Sequence, residues 1–197
     1  LRDPLFYVAL SGILAPPFIG TSIFFHQIFL VELRGWEPQV FAASFAVMSA
    51  TTVVFALICG HLVDRFTAMA LLPVFLIPMG GACLVLAFVE AQFSVFIFMG
   101  LLGVSNGFTS TLFGAIWPEA YGTRHLGSIR STIVSAMVFM SAAGPGLTGF
   151  LIDRSISFPG QVAAFGLYCF LACGLLYLAS RRMLARVRGA TQPVLQN

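Results

Sequence analysis

The side chains of this chain that could do chemistry are few, and they sit inside long apolar stretches. His26 is the only histidine in such a stretch, with Gln27 beside it and Ser22 one turn earlier. An imidazole can hydrogen-bond a polar solute or carry a proton near neutral pH, and an ionisable group is costly in lipid. Asn106, Thr109 and Ser110 fall within one narrow helical arc, and Thr51 shares a helical stripe with Ser44, Met48 and Phe55. Such uncharged groups suit the holding of a polar solute rather than its transformation. Each also has a plainer reading. His26 can bond a neighbouring helix, Asn106 and Thr109 can join helices, and Ser and Thr can bond their own backbone carbonyls.

The absences narrow the chemistry further. Asp3, Glu32, Glu37, Asp64, Glu90, Glu119 and Asp153 all fall at the ends of the apolar stretches, so no carboxylate stands deep in one as a proton relay. There is no Ser–His–Asp set, no HExxH and no phosphate loop. The sequence therefore reads as a non-enzyme that needs no metal and no cofactor. Cys59, Cys83, Cys169 and Cys173 read as small packing residues, since their spacing has no metal-site partner.

The elements that must position these residues follow from composition. The chain is 59% hydrophobic and 9% charged, with mean hydropathy +0.97, against roughly 25% charged in soluble domains. A spanning helix needs about 20 mostly apolar residues. Six segments qualify, over about 5–30, 40–59, 68–89, 93–117, 129–152 and 162–179. No run alternates with period two, which argues against a β-barrel and for helices. The fold class is an all-α membrane protein. The basic residues are all arginine and form no run interleaved with aromatics, which argues against nucleic acid as a partner.

Two stretches share one pattern. Gly60-His61-Leu62-Val63-Asp64-Arg65 and Gly149-Phe150-Leu151-Ile152-Asp153-Arg154 both read Gly-x-Leu-x-Asp-Arg, each ending the second segment of a group of three. The expected architecture is two three-helix repeats, about 5–89 and 92–180, within a transmembrane unit 1–180, followed by a basic tail 181–197. Three is odd, so the second repeat enters the bilayer inverted, as in many secondary transporters. Arg2, Arg65, Arg124, Arg130, Arg181, Arg182, Arg186 and Arg188 fall on one side, and Arg34 and Arg154 on the other. The positive-inside rule then puts both termini and the Asp64-Arg65 loop in the cytoplasm. The first residue is Leu1 rather than Met, which leads us to expect a piece of a longer protein.

With these residues in view, the whole chain resembles the C-terminal six-helix half of a major facilitator superfamily transporter. Gly60-x-Leu62-x-Asp64-Arg65 is similar to the first part of that superfamily's cytoplasmic loop signature, which continues with a glycine and two basic residues. Thr67, Ala68 and Met69 stand there instead. Trp117–Arg124 resembles the loop joining the fourth and fifth helices of such a half, and Gly144-Pro145-Gly146-Leu147-Thr148-Gly149 partly resembles an antiporter Gly-Pro motif. The stretch from Gly20 to Gly35 is similar to bacterial carriers of the oxalate/formate and monocarboxylate kind.

The resemblance implies half of an alternating-access permease in a bacterial inner membrane, moving a small organic solute of the carboxylate class. Its expected partners are that solute, the lipid bilayer and an N-terminal six-helix half. Candidate solute contacts are Ser22, His26, Gln27, Thr51, Asn106, Thr109 and Ser110. Gly60, Asp64, Arg65, Glu119, Arg124 and Arg130 form the expected gating or structural loop set. The third and sixth segments are expected outermost, facing lipid. The first, second, fourth and fifth should leave an apolar concave face with Phe18, Phe25, Met48, Phe55, Phe113 and Phe139 beside the polar stripes. The alternative is a six-helix membrane subunit with a structural or assembly role and no transport cycle of its own.

Overall fold

A computed structural model describes residues 4–191, with side chains through residue 185. The described chain is helical, without strands. Its helices are α1 (Pro4–Ile13), α2 (Ala15–Phe25), α3 (Gln27–Arg34), α4 (Pro38–Phe66), α5 (Ala68–Leu71), α6 (Ile77–Phe88), α7 (Ser94–Tyr121), α8 (Leu126–Asp153) and α9 (Phe158–Thr191). Five stretches are long and apolar enough to cross a membrane: α1 with α2, then α4, α7, α8 and α9. That is the pattern of an integral membrane protein.

The third expected span departs from the six-span reading. It is α5, a turn over 72–76 and the short α6, and none of these alone is long enough to span. The cause is proline chemistry. Pro73 has no N–H for the Met69 carbonyl, and Pro78 can sit only in a first helical turn. The segment packs one side on protein and leaves Val74, Ile77 and Phe88 exposed on the other. Met69, Leu72, Phe75, Leu76, Met79, Ala82 and Cys83 are all fully buried, because α6 packs against both α7 and α9. Apolarity had looked the same for burial in protein and in lipid.

Burial of a broken helix requires substitute donors, and two hydroxyls supply them. Ser180 Oγ of α9 donates to the Met69 carbonyl at 2.5 Å, the one that Pro73 leaves unbonded. Ser105 Oγ of α7 donates to the Phe75 carbonyl at 2.9 Å. The first span breaks by the same rule. Pro16 and Pro17 stand in the first turn of α2 and α1 stops at Ile13; beside this break the Tyr168 hydroxyl of α9 donates to the Ser11 carbonyl at 2.9 Å, a carbonyl that neither proline releases.

Small residues set the remaining pairings. α2 packs on α8, α4 on α7, and α1 on α9. A Cβ at Gly107 would lie 2.7 Å from the Thr52 carbonyl oxygen and the Ala56 nitrogen. One at Gly144 would lie 2.6 Å from Ser22 Oγ. Backbones therefore meet at glycine, as helices in lipid require for van der Waals contact. By contrast α4 and α8 each keep a bare face, with Leu57 74% and Phe139 71% exposed.

Polar contacts fix the two ends. At one, Arg34 donates to the Val89 and Ala87 carbonyls closing α6, and Trp36 Nε1 donates to the Glu90 carbonyl at 2.9 Å. Burial lowers the Arg34 pKa, and the neighbouring Glu90 opposes the shift. At the other end, Glu119 Oε2 accepts from the Ala68 N–H at 2.8 Å, and Phe6 packs its ring on Trp117. Phe158 contacts His26 and Phe29, so the α8–α9 connection lies at the Arg34 end. The two Gly-x-Leu-x-Asp-Arg stretches thus fall at opposite ends of the bundle.

Helix α9 continues into the expected basic tail, as far as Thr191. Residues 192–197, Arg2 and the side chains of Arg186 and Arg188 lie outside the described residues. Thr67 and Ser155, which follow the two Asp-Arg pairs, are the positive-φ non-glycine residues among those described, at φ 74° and 62°. Thr67 (ψ 149°) occupies glycine territory.

Two outcomes follow from this backbone accounting. Ser180→Ala and Ser105→Ala each strand a buried carbonyl and should each lower stability by about 1–3 kcal/mol. Thr67→Gly should raise it, by about 1–3 kcal/mol if all the strain is released. Equilibrium unfolding of the purified chain in mixed micelles, followed by circular dichroism, measures both; unchanged Ser variants would refute the donor assignment.

Candidate functional site

His26 stands where α2 ends and α3 begins, at backbone angles outside the helical range. Its Nδ1 lies 2.9 Å from the Ser22 carbonyl. A carbonyl only accepts, so Nδ1 carries the hydrogen, and Nε2 of the neutral ring is left as an acceptor. The ring packs 5.7 Å from Phe158 and 5.3 Å from Phe25, centroid to centroid. Nε2 faces Gly149, where a Cβ would come to 3.5 Å. The second Gly-x-Leu-x-Asp-Arg stretch therefore gives His26 its room.

Ser22 does not open onto a cavity. It is fully buried beneath Gly144, and its hydroxyl donates to the Phe18 carbonyl at 2.7 Å. Gln27 diverges from His26 and lines a cleft between α3 and α4, where its Oε1 is buried without a partner.

Thr51 belongs to a different interface. It donates to the Val47 and Met48 carbonyls at 2.8 and 3.0 Å, against Gly103 of α7. Thr109 donates to the Ser105 carbonyl at 2.7 Å and Ser110 to the Gly107 carbonyl at 2.9 Å. Asn106 and Thr109 are half-buried, and Ser110 is exposed. The structure thus sets Thr51 against Gly103 of α7 and, separately, Ser22 and His26 against α8 and α9, while the bonds of Thr109 and Ser110 stay within α7. The two groups could grip a solute only across a space between the α4–α7 and α2–α8 pairs.

The loop set divides likewise. Asp64, Arg65 and Arg124 are exposed, and the Arg65 guanidinium lies 5.4 Å from the Phe66 ring centroid. Glu119 caps α5 rather than meeting Arg65, and Arg130 donates to the Gly114 carbonyl at 3.1 Å. Gly60 is half-buried with open space where a Cβ would stand. The expected latch therefore takes the form of side chain to backbone bonds.

Sequence reasoning did not single out Thr148 or Gln161 as site residues. Both are buried, and Thr148 Oγ1 and Gln161 Oε1 have no partner. Thr148 follows Gly144 by one turn, on the face that meets α2, and Gln161 follows Phe158 by one turn on α9. With His26 Nε2 they set three hydrogen-bonding atoms on elements that converge at the Arg34 end. The available signal was the spacing of Thr148 from Gly144, which places them on one helix face.

No protein-family model matches this chain, and comparison with curated proteins returned no match.

Accessibility separates the polar residues. With the four native cysteines replaced by alanine, Ser110→Cys should react rapidly with a membrane-impermeant methanethiosulfonate in purified protein, while Ser105→Cys should stay protected. Equal rates at the two positions would contradict their different burial.

Proposed function

We propose that this chain is one half of a secondary transporter of the major facilitator type. On this reading it moves a small organic solute, of the carboxylate class, by alternating access. One observation carries the reading. Number the membrane segments in order, taking α1–α3 as the first and α5–α6 as the third. The principal pairs are then first with fifth, second with fourth, third with sixth, third with fourth, and first with sixth. Exchanging the two triplets, first for fourth, second for fifth and third for sixth, returns the same set of pairs. Two copies of one three-segment unit, packed about an axis in the membrane plane, would produce this closure.

The bare faces of α4 and α8 support the same reading. They hold Val53, Leu57, Val138 and Phe139 exposed, alongside exposed Ser and Thr residues. A transporter half needs such a face, because its solute lies between two halves. Polar residues on that face argue against lipid as its sole neighbour. A self-sufficient six-segment subunit would instead enclose its Ser, Thr and Asn side chains.

Topology and transport test the proposal together. Compartment reporters fused after Phe66 and after Ser155 should report opposite sides of the membrane, with the first cytoplasmic. Vesicles from cells expressing the intact gene should show counterflow of labelled formate, oxalate or lactate, lowered at least about tenfold by Asn106→Leu, the loss of roughly 1.4 kcal/mol of binding. Reporters on the same side would overturn the inverted repeat. Correct topology without counterflow of any of the three would overturn the carboxylate assignment and favour the structural subunit.

A further inference from the structure

The two ends of the bundle differ in how their buried polar side chains are satisfied. At the Glu119 end, no sealed side-chain nitrogen or oxygen of the described residues lacks a partner. Ser180 Oγ donates to the Met69 carbonyl there, and Glu119 Oε2 accepts from the Ala68 N–H. At the Arg34 end three oxygens are sealed and unbonded: Gln27 Oε1, Thr148 Oγ1 and Gln161 Oε1. Such atoms are rare in folded proteins, because each has lost its bond to water without replacing it.

Two of the three flank the α8–α9 connection. Thr148 is in the last turns of α8 and Gln161 in the first turn of α9. This part of the chain faces the break between α2 and α3. His26 Nε2 faces Gly149, and the Phe158 ring centroid lies 5.7 Å from that of His26 and 6.2 Å from that of Phe29. No hydrogen bond among the described residues joins 148–161 to α2 or α3. The Gln161 amide nitrogen donates within its own connection, to the Ile156 carbonyl at 3.2 Å. The far end of α3 is held differently, since Arg34 and Trp36 bond the carbonyls that close α6. One side of the α2–α3 segment is therefore tied by hydrogen bonds, and the other is held by ring contacts beside two unbonded oxygens.

We infer that the seam between the α8–α9 connection and the α2–α3 break is a gate for water. Opening it breaks only ring and van der Waals contacts, and it hydrates Thr148 Oγ1 and Gln161 Oε1. Closing it restores the contacts and strips both oxygens of water. The two effects oppose each other, so the seam opens more often than the Glu119 end, where opening would break hydrogen bonds instead. This follows from the bonding of the chain itself and does not rest on the transport reading.

Thiol reactivity tests the gate. With the four native cysteines replaced by alanine, Val162→Cys and Ala179→Cys place probes near opposite ends of α9, at positions 1% and 2% exposed. In purified protein, a membrane-impermeant methanethiosulfonate should modify Val162→Cys at least about fivefold faster than Ala179→Cys, the ratio expected from one unsatisfied group at the low end of its cost. Adding Thr148→Val removes an unbonded hydroxyl, so it should slow the Val162→Cys reaction by a similar factor. Thr148→Ser keeps the hydroxyl and should not slow it. Thr111→Val should not slow it either, because that hydroxyl is already bonded to the Ala56 carbonyl. Equal rates at the two probes, or slower reaction at Val162→Cys, would overturn the gate. So would a Thr148→Val variant that leaves the Val162→Cys rate unchanged, or one that slows both probes equally, which is general stabilisation.

Discussion

Every carbonyl released by proline inside this bundle must find a donor that is neither water nor lipid. The rest of the architecture is built on that requirement. A stranded carbonyl in hydrocarbon costs several kcal/mol, and Pro16, Pro17, Pro73 and Pro78 would each strand one in a continuous helix. Pro73 releases the Met69 carbonyl, to which α9 brings a hydroxyl, and hydroxyls of α7 and α9 bond two further carbonyls near the breaks. Ser180 serves the Met69 carbonyl, Ser105 the Phe75 carbonyl and Tyr168 the Ser11 carbonyl. The first and second of these bonds tie the third segment to α9 and α7. A broken helix facing lipid would have no comparable source of donors.

Close approach is the second constraint. Hydrophobic exclusion does not hold one apolar helix against another in lipid, so contact area must come from shape. Gly103 and Gly107 admit α4 to α7, and Gly144 admits α8 to α2. The same glycines fix which polar residues meet. Thr51 faces α7 because Gly103 has no side chain, and Ser22 is sealed because Gly144 lies over it. The polar residues that the helices carry are therefore divided between two interfaces by the positions of three glycines.

The ends of the bundle are tied by charge to backbone rather than charge to charge. Arg34 satisfies the last carbonyls of α6, where a cation also matches the negative end of the helix dipole. Glu119 satisfies the first N–H of α5. Pairs of this kind hold two elements at one fixed distance, and they leave the opposite charges Glu32, Asp64 and Arg65 exposed. An exposed charge in a membrane protein stands where water or headgroups begin.

The sequence alone determined that the chain is helical and apolar enough for a membrane, and it located five of the spans closely. Length and lack of charge report transfer into hydrocarbon, and that quantity depends on composition. It also marked the two Gly-x-Leu-x-Asp-Arg stretches, which the structure puts at opposite ends. Composition could not separate burial in protein from burial in lipid, because both reward the same residues. Only the tertiary structure packed the broken third segment on α7 and α9, continued α9 past Ala179, and turned Glu119 to the Ala68 N–H. It alone exposed the unpartnered atoms of Gln27, Thr148 and Gln161, since whether a polar atom is satisfied depends on which neighbour arrives beside it.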